Sequence, residues 1–169
     1  DERQCATLLA NTNYYPGMVQ LDGHILVDYL NGSEHYDVRR NPPFILQDKE
    51  LGNIILNNDL RKQIRDKFNL SLELDQRYKA LALTIVYLLS CSEREVFGAG
   101  EILNACDELK IQHLKGVTEN EIYNLLIEME KMGVLTQNNN MFKLRRRRFI
   151  KYIAENDGDL LDKLQSMSE

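Results

Sequence analysis

Four consecutive arginines, Arg145 to Arg148, are the densest charge in the chain, and Lys143 stands two residues before them. Guanidinium and ammonium groups are the donors that bind phosphate oxygens, so this run suits phosphate contact on DNA or on a nucleotide in a parent protein. Base rates favour the plainer reading, in which the same residues are solvated charge set against acidic helices elsewhere. Four successive side chains fan around a helix axis, so at most two of them would reach one ligand. The other residue types that carry chemistry are poorly spaced for it. His24, His35 and His113 lie far apart and lack an H-x-x-x-H spacing. Cys5, Cys91 and Cys106 form no C-x-x-C and read as buried free thiols of a reducing cytosol. Gly98-Ala99-Gly100 is not a phosphate loop of the type G-x-x-x-x-G-K-[ST], and no serine sits in G-x-S-x-G. Glu128 and Glu130 fall on an exposed helix face, where nothing would raise a carboxyl pKa for acid catalysis. The reading is therefore a non-catalytic chain with no catalytic residue and no metal ligand set.

The elements that would hold these residues follow from periodicity. Arg77 to Ser90 is apolar almost all round, which makes it the buried central helix. A turn bracketed by Gly98 and Gly100 precedes a helix to about Lys110, with Ile102, Ala105, Cys106 and Leu109 on one face. Thr118-x-x-Glu121 is a capping box, and Val117 and Ile122 stand where a hydrophobic staple needs them. Ile122, Leu125, Leu126 and Met129 form the buried stripe of that helix, and Gly133 ends it. Val134-Leu135 starts a strand, Gln137 to Asn140 is a hairpin tip because Asn tolerates positive φ, and Met141 to Leu144 returns. A helix from Arg145 to about Asn156 is stopped by Asp157-Gly158, and Leu160, Leu161 and Leu164 mark one last short helix. This is the order of a winged helix-turn-helix.

Upstream, Glu2 to Ala10 and Pro16 to Leu30 read as helices separated by Asn11-Thr12-Asn13. Val19, Ile25, Leu26 and Tyr29, with Leu21 and Val27, supply the apolar face of the second. Residues 34 to 43 form a polar linker, and Phe44-Ile45-Leu46 adds a short strand or a core plug. A helix through Leu56 follows, then one from Leu60 to about Phe68, with residues 69 to 75 as a short connection. The longest apolar run, Ala80 to Leu89, is too short to span a bilayer, and the N-terminus has no signal-peptide pattern.

Charge bears on the ligand. The chain carries a net charge of -5, while residues 76 to 151 hold 12 Lys or Arg against 9 Asp or Glu. The second helix of a DNA-reading winged helix enters the major groove, yet residues 118 to 132 expose Glu119, Glu121, Asn124, Glu128 and Glu130 against Lys131 alone. Phosphates repel such a face, so base reading by this helix is disfavoured and a protein-facing role fits better. DNA binding would have to use the wing and the arginine end.

The phrase Thr12-Asn13-Tyr14-Tyr15-Pro16-Gly17-Met18-Val19-Gln20 resembles the helical lid that follows the nucleotide-binding core in prokaryotic AAA+/STAND-type ATPases. Asn13 stands where that family more often has glycine. Pro42-Pro43-Phe44, Leu60-Arg61, Ile64-Arg65, Phe68 and Leu72-x-Leu74-Asp75-x-Arg77-Tyr78-Lys79 are similar to the connector of a bacterial subset. Glu128-x-Glu130-x-Met132-Gly133-Val134-Leu135 and Phe142-Lys143-Leu144-Arg145 resemble their C-terminal winged helix. The resemblance implies that the chain is the C-terminal part of such an ATPase, with its phosphate-binding core upstream. It implies ATP or ADP for the parent protein and no cofactor for this fragment alone. Pro16, with Tyr15 beside it, would approach the nucleotide base.

The expected fold is thus mainly α: a helical lid-like segment plus a winged helix-turn-helix with a small β-hairpin wing. Expected boundaries are 1–36 for the lid-like segment, 37–75 for a helical connector, 76–152 for the winged helix and 153–169 for a helical tail. The expected partners are the parent ATPase core or another protein subunit, with DNA as the alternative, no membrane, and a cytoplasmic setting.

Overall fold

The computed structural model describes residues 2–12, 16–32 and 47–168. Those residues are mainly α-helical with one small antiparallel sheet, as expected. The chain divides into two compact units, Asp1–Lys67 and Phe68–Glu169, and the division falls within a helix.

In the first unit, α1 spans Glu2–Asn11, α2 Pro16–Gly32 and α3 Asp48–Ile55. α4, Asn58–Glu73, begins here. α1, α2 and α3 touch one another pairwise. Gln47 precedes α3, and its backbone N–H donates to the Glu50 carboxylate at 2.9 Å, closing the first turn. Asn57 opens α4 by accepting from the Asp59 N–H at 2.8 Å. Leu51, Ile54 and Ile64 are buried. Two expectations for α2 need correction: Val27 and Tyr29 are exposed, while Asp22 is buried. The polar linker, Pro42-Pro43 and the 44–46 segment lie outside the described residues.

The second unit begins with the end of α4. The connection expected over residues 69–75 shrinks to Leu74 and Asp75, because the helix continues to Glu73. Ile64, Phe68 and Leu72 recur every four residues and all three are buried, so the apolar stripe carries the helix past polar Asn69 and Ser71. α5, Gln76–Cys91, starts at Asp75, whose carboxylate accepts from the Arg77 N–H at 2.8 Å. Ala80 to Val86 are buried without a break. β1, Phe97–Gly98, leads into α6, Ala99–Glu108, and then α7, Glu119–Lys131. The Thr118–Glu121 capping box forms as its residues required, and Ile122, Leu125, Leu126 and Met129 are buried. Gly133 at φ +79° closes α7: its N–H reaches the Glu130 carbonyl and that of Val134 reaches Met129. Lys110 makes the same turn after α6 at φ +56° without being glycine.

β2, Leu135–Asn138, and β3, Met141–Leu144, pair with Leu135 opposite Leu144 and Asn138 opposite Met141. Asn139 and Asn140 take φ +49° and +61°, the two left-handed positions of a tight hairpin turn. The sheet order is β1-β3-β2, with Phe97 opposite Phe142. The strand β1 is an addition to the sequence reading, which had only a turn there.

The helix expected from Arg145 is shorter and starts later. The Arg145 N–H donates to the Val134 carbonyl, which prolongs the ladder, and Arg146 is extended. A 3₁₀ turn over Arg147–Phe149 leads into α8, Ile150–Ile153. Asp157-Gly158 does not stop a helix but begins one, α9, Asp157–Ser168. Asn156 caps it by accepting from the Asp159 N–H, and two acids sit in its first turn, where the helix dipole favours them. Phe149 is buried with its ring centroid 4.4 Å from that of Phe68. The cysteines also depart from expectation, since only Cys106 is buried while Cys5 and Cys91 are exposed.

Leu81 is wholly buried in α5, whereas Leu74 is 76% exposed. Leu81→Ala is expected to cost about 2–5 kcal/mol in urea unfolding of the chain. Leu74→Ala should change it by less than about 0.5 kcal/mol. Equal effects would contradict the assigned core.

Candidate functional site

The second strand of the hairpin sets the geometry of the basic end. Side chains alternate across a strand, so Phe142 and Leu144 turn into the core and Lys143 and Arg145 share the outer face. Arg147 starts the 3₁₀ turn two residues later. All three are exposed, and they line one cleft of about 280 Å³ together with Leu89, Ile150 and residues 92–95. Among the described residues none of these three cations has an ion-pair partner. Arg146 and Arg148 are not among the residues lining the cleft, and Arg148 is half-buried. Two of the four arginines, Arg145 and Arg147, thus reach a common space, but for a reason other than helical fanning: extended Arg146 separates them, so they fall on the same side of the chain.

Arg94 is a fourth cation on this cleft, and no local spacing in the sequence points to it. It comes from the loop between α5 and β1, far from the arginine run in the chain. Its Nη2 donates to both Glu101 carboxylate oxygens, at 2.6 and 2.8 Å, and its guanidinium lies 5.6 Å from the Phe97 ring centroid. Glu101 also accepts from the Gly98 N–H at 2.8 Å. That backbone bond first, and Arg94 second, hold the Glu101 carboxyl below its ordinary pKa. Glu93 and Glu95 line the same cleft as carboxylates.

α7 presents a different surface. Glu119, Glu121, Asn124 and Glu128 are exposed and Glu130 is half-buried. Glu121 is held below its ordinary pKa, chiefly by the Thr118 N–H of its capping box. Glu128 accepts a short hydrogen bond from the Tyr78 hydroxyl, tying α7 to the start of α5. That bond is the main reason the Tyr78 phenol is pushed up to about 12. At the other end, Gln137 Nε2 donates to the Tyr123 hydroxyl at 2.9 Å, and Tyr123 donates to Asn140 Oδ1 at 3.3 Å. These side chains pin the hairpin to α7. Neither link was visible in the sequence, because each joins residues 14 or more positions apart.

The two residues that the resemblance would set near a nucleotide, Tyr15 and Pro16, fall at the edge of the described residues. Tyr15 lies outside the described residues, and Pro16 is the first residue of α2, the position where a proline gives up no helical bond. His24 and His113 are exposed, and His35 lies outside the described residues. Among the described residues no three His, Cys, Asp or Glu side chains group to hold a metal ion. Among them also, no helix is long and apolar enough to cross a membrane.

The Tyr78 bond has a pH signature. A neutral donor is required, so the stabilisation is whole below the ordinary value of 10.0 and is lost as pH rises through about 12. Tyr78→Phe should cost about 1 kcal/mol at neutral pH, a value reduced by the half-exposed setting. A difference titration of tyrosinate absorbance, wild type minus Tyr78→Phe, should then show one group titrating near 12. A difference centred at 10 would contradict the bond.

Models of known protein families, curated proteins and solved structures were all compared with the chain, and none of them matches it.

Proposed function

We propose that this chain is a non-catalytic regulatory or interaction module built on a winged helix-turn-helix, and that it works in the cytoplasm as the C-terminal region of an ATP-binding AAA+/STAND-type protein. One observation carries the interaction role: α7, the helix such a fold offers to its ligand, faces solvent with Glu119, Glu121 and Glu128 around Asn124. A groove lined by phosphates repels that face, whereas a protein surface bearing Lys or Arg complements it. The assignment to an ATPase is supported by the resemblance of residues 12–20, the connector phrases and the 128–145 phrases to that family. In this reading Pro16 and Tyr15 meet nucleotide only when the ATPase core is present, and the winged helix contacts that core or another subunit.

Calorimetric titration of the chain with ATP should give no saturable binding. Tight binding by the chain alone would overturn the placement of the nucleotide site upstream. A G-x-x-x-x-G-K-[ST] phrase encoded ahead of residue 1 in the same reading frame is the expected companion result.

A second reading is favoured by the cleft at the hairpin base, where Lys143, Arg145 and Arg147 stand without ion-pair partners among the described residues. There the module contacts DNA through the hairpin and arginine end, leaving α7 out of the groove. A duplex oligonucleotide should then bind with an affinity that falls steeply as salt is raised. Undetectable binding at low salt would remove this reading and leave the first.

A further inference from the structure

We infer that the cleft between the end of α5 and β3 is a phosphodiester-backbone site whose own loop carboxylates, Glu93 and Glu95, compete with the incoming phosphates. This rests on the second reading above and deepens it. Lys143 lies in β3 and Arg145 just past its end, where its N–H still bonds the Val134 carbonyl; two residues apart in extended chain, their roots stand about 6–7 Å from each other. Arg147 extends the series from the next turn. A row of cations at that interval matches successive phosphates of one nucleic-acid strand. A single free phosphate would engage one end of it. The fourth cation, Arg94, is already neutralised by Glu101 at 2.6 Å, so it fixes the wall of the cleft more than it adds charge.

The carboxylates set the strength. Glu93 and Glu95 line the cleft alongside three cations, and among the described residues no ion pair of 4.0 Å or less joins the two groups. They are close enough to lower the local potential, yet they do not satisfy the arginines. A phosphate entering the cleft gains the cations and meets the carboxylates. Affinity is therefore modest, strongly salt-dependent and open to adjustment by two exposed residues.

The test measures fluorescence anisotropy of a labelled duplex with the full chain across a salt series, for three proteins. Arg145→Gln with Arg147→Gln should weaken binding at least tenfold at low salt and lower the slope of log affinity against log salt by about 2. Glu93→Gln with Glu95→Gln should tighten binding severalfold, a gain that a misfolded protein does not produce. Inorganic phosphate at matched ionic strength should displace the duplex no better than chloride, and a poly-glutamate peptide should bind far more weakly than the duplex. Duplex binding that neither double variant alters would overturn the cleft assignment while leaving DNA binding by another surface. No duplex binding at all would overturn both. Displacement by inorganic phosphate would assign the cleft to a free anion, and equal binding of poly-glutamate would assign it to an acidic protein; either result also overturns the proposal.

Discussion

The second unit depends on one stretch of buried chain. From Ala80 to Val86 every residue of α5 is out of solvent, including Thr84, whose hydroxyl donates to the Ala80 carbonyl at 2.9 Å and so meets its polar demand within the helix. A helix hydrophobic around its whole circumference must be surrounded. α6, α7, α8 and α9 each pack on it, so the two ends of α5 become the fixed points from which the surfaces are built. Its first turn carries Tyr78, which grips Glu128 on α7. Its last turn and the loop beyond it carry Leu89 and residues 92–95, which form one wall of the basic cleft. The acidic and basic faces of the unit are thus positioned by opposite ends of a single buried helix.

That arrangement separates two charges that composition averages away. A net charge of -5 speaks of an acidic protein. Locally, α7 gathers carboxylates while the hairpin base gathers Lys143, Arg145 and Arg147. Electrostatic complementarity acts over about a Debye length, roughly 8–10 Å, so a partner meets one face and not the mean. The two proposed readings differ in which face meets the partner.

Local chemistry was legible in the sequence and long-range pairing was not. The Thr118–Glu121 box and the Gly133 turn follow from a few adjacent residues each and form where those residues stand, while the hairpin tip expected over Gln137–Asn140 narrows to Asn139 and Asn140 because Gln137 and Asn138 pair with Phe142 and Met141. The strand β1 is two residues long and exists only because Phe97 meets Phe142 across 45 positions. No local pattern announces it. The arginine run read as helix because four arginines suit one; the Val134 carbonyl claimed the Arg145 N–H instead. Asp157-Gly158 read as a stop, but Asn156 in front of it is a cap, and the cap decides. At the candidate site the cations from Lys143 to Arg147 are legible from their charge density. Arg94, Glu93 and Glu95 are not legible there, because they join the cleft from a loop some fifty residues earlier.

Both proposed readings keep phosphate away from α7, and the second places a phosphate-bearing ligand at the hairpin base instead. Amide chemical-shift mapping of the isotopically labelled chain during titration with an unlabelled duplex tests it directly. The perturbed amides are expected in residues 92–96 and 143–147, with α7 from Glu119 to Lys131 unchanged. Perturbations concentrated along Glu119, Tyr123, Asn124 and the rest of the α7 surface, with the cleft silent, would contradict it.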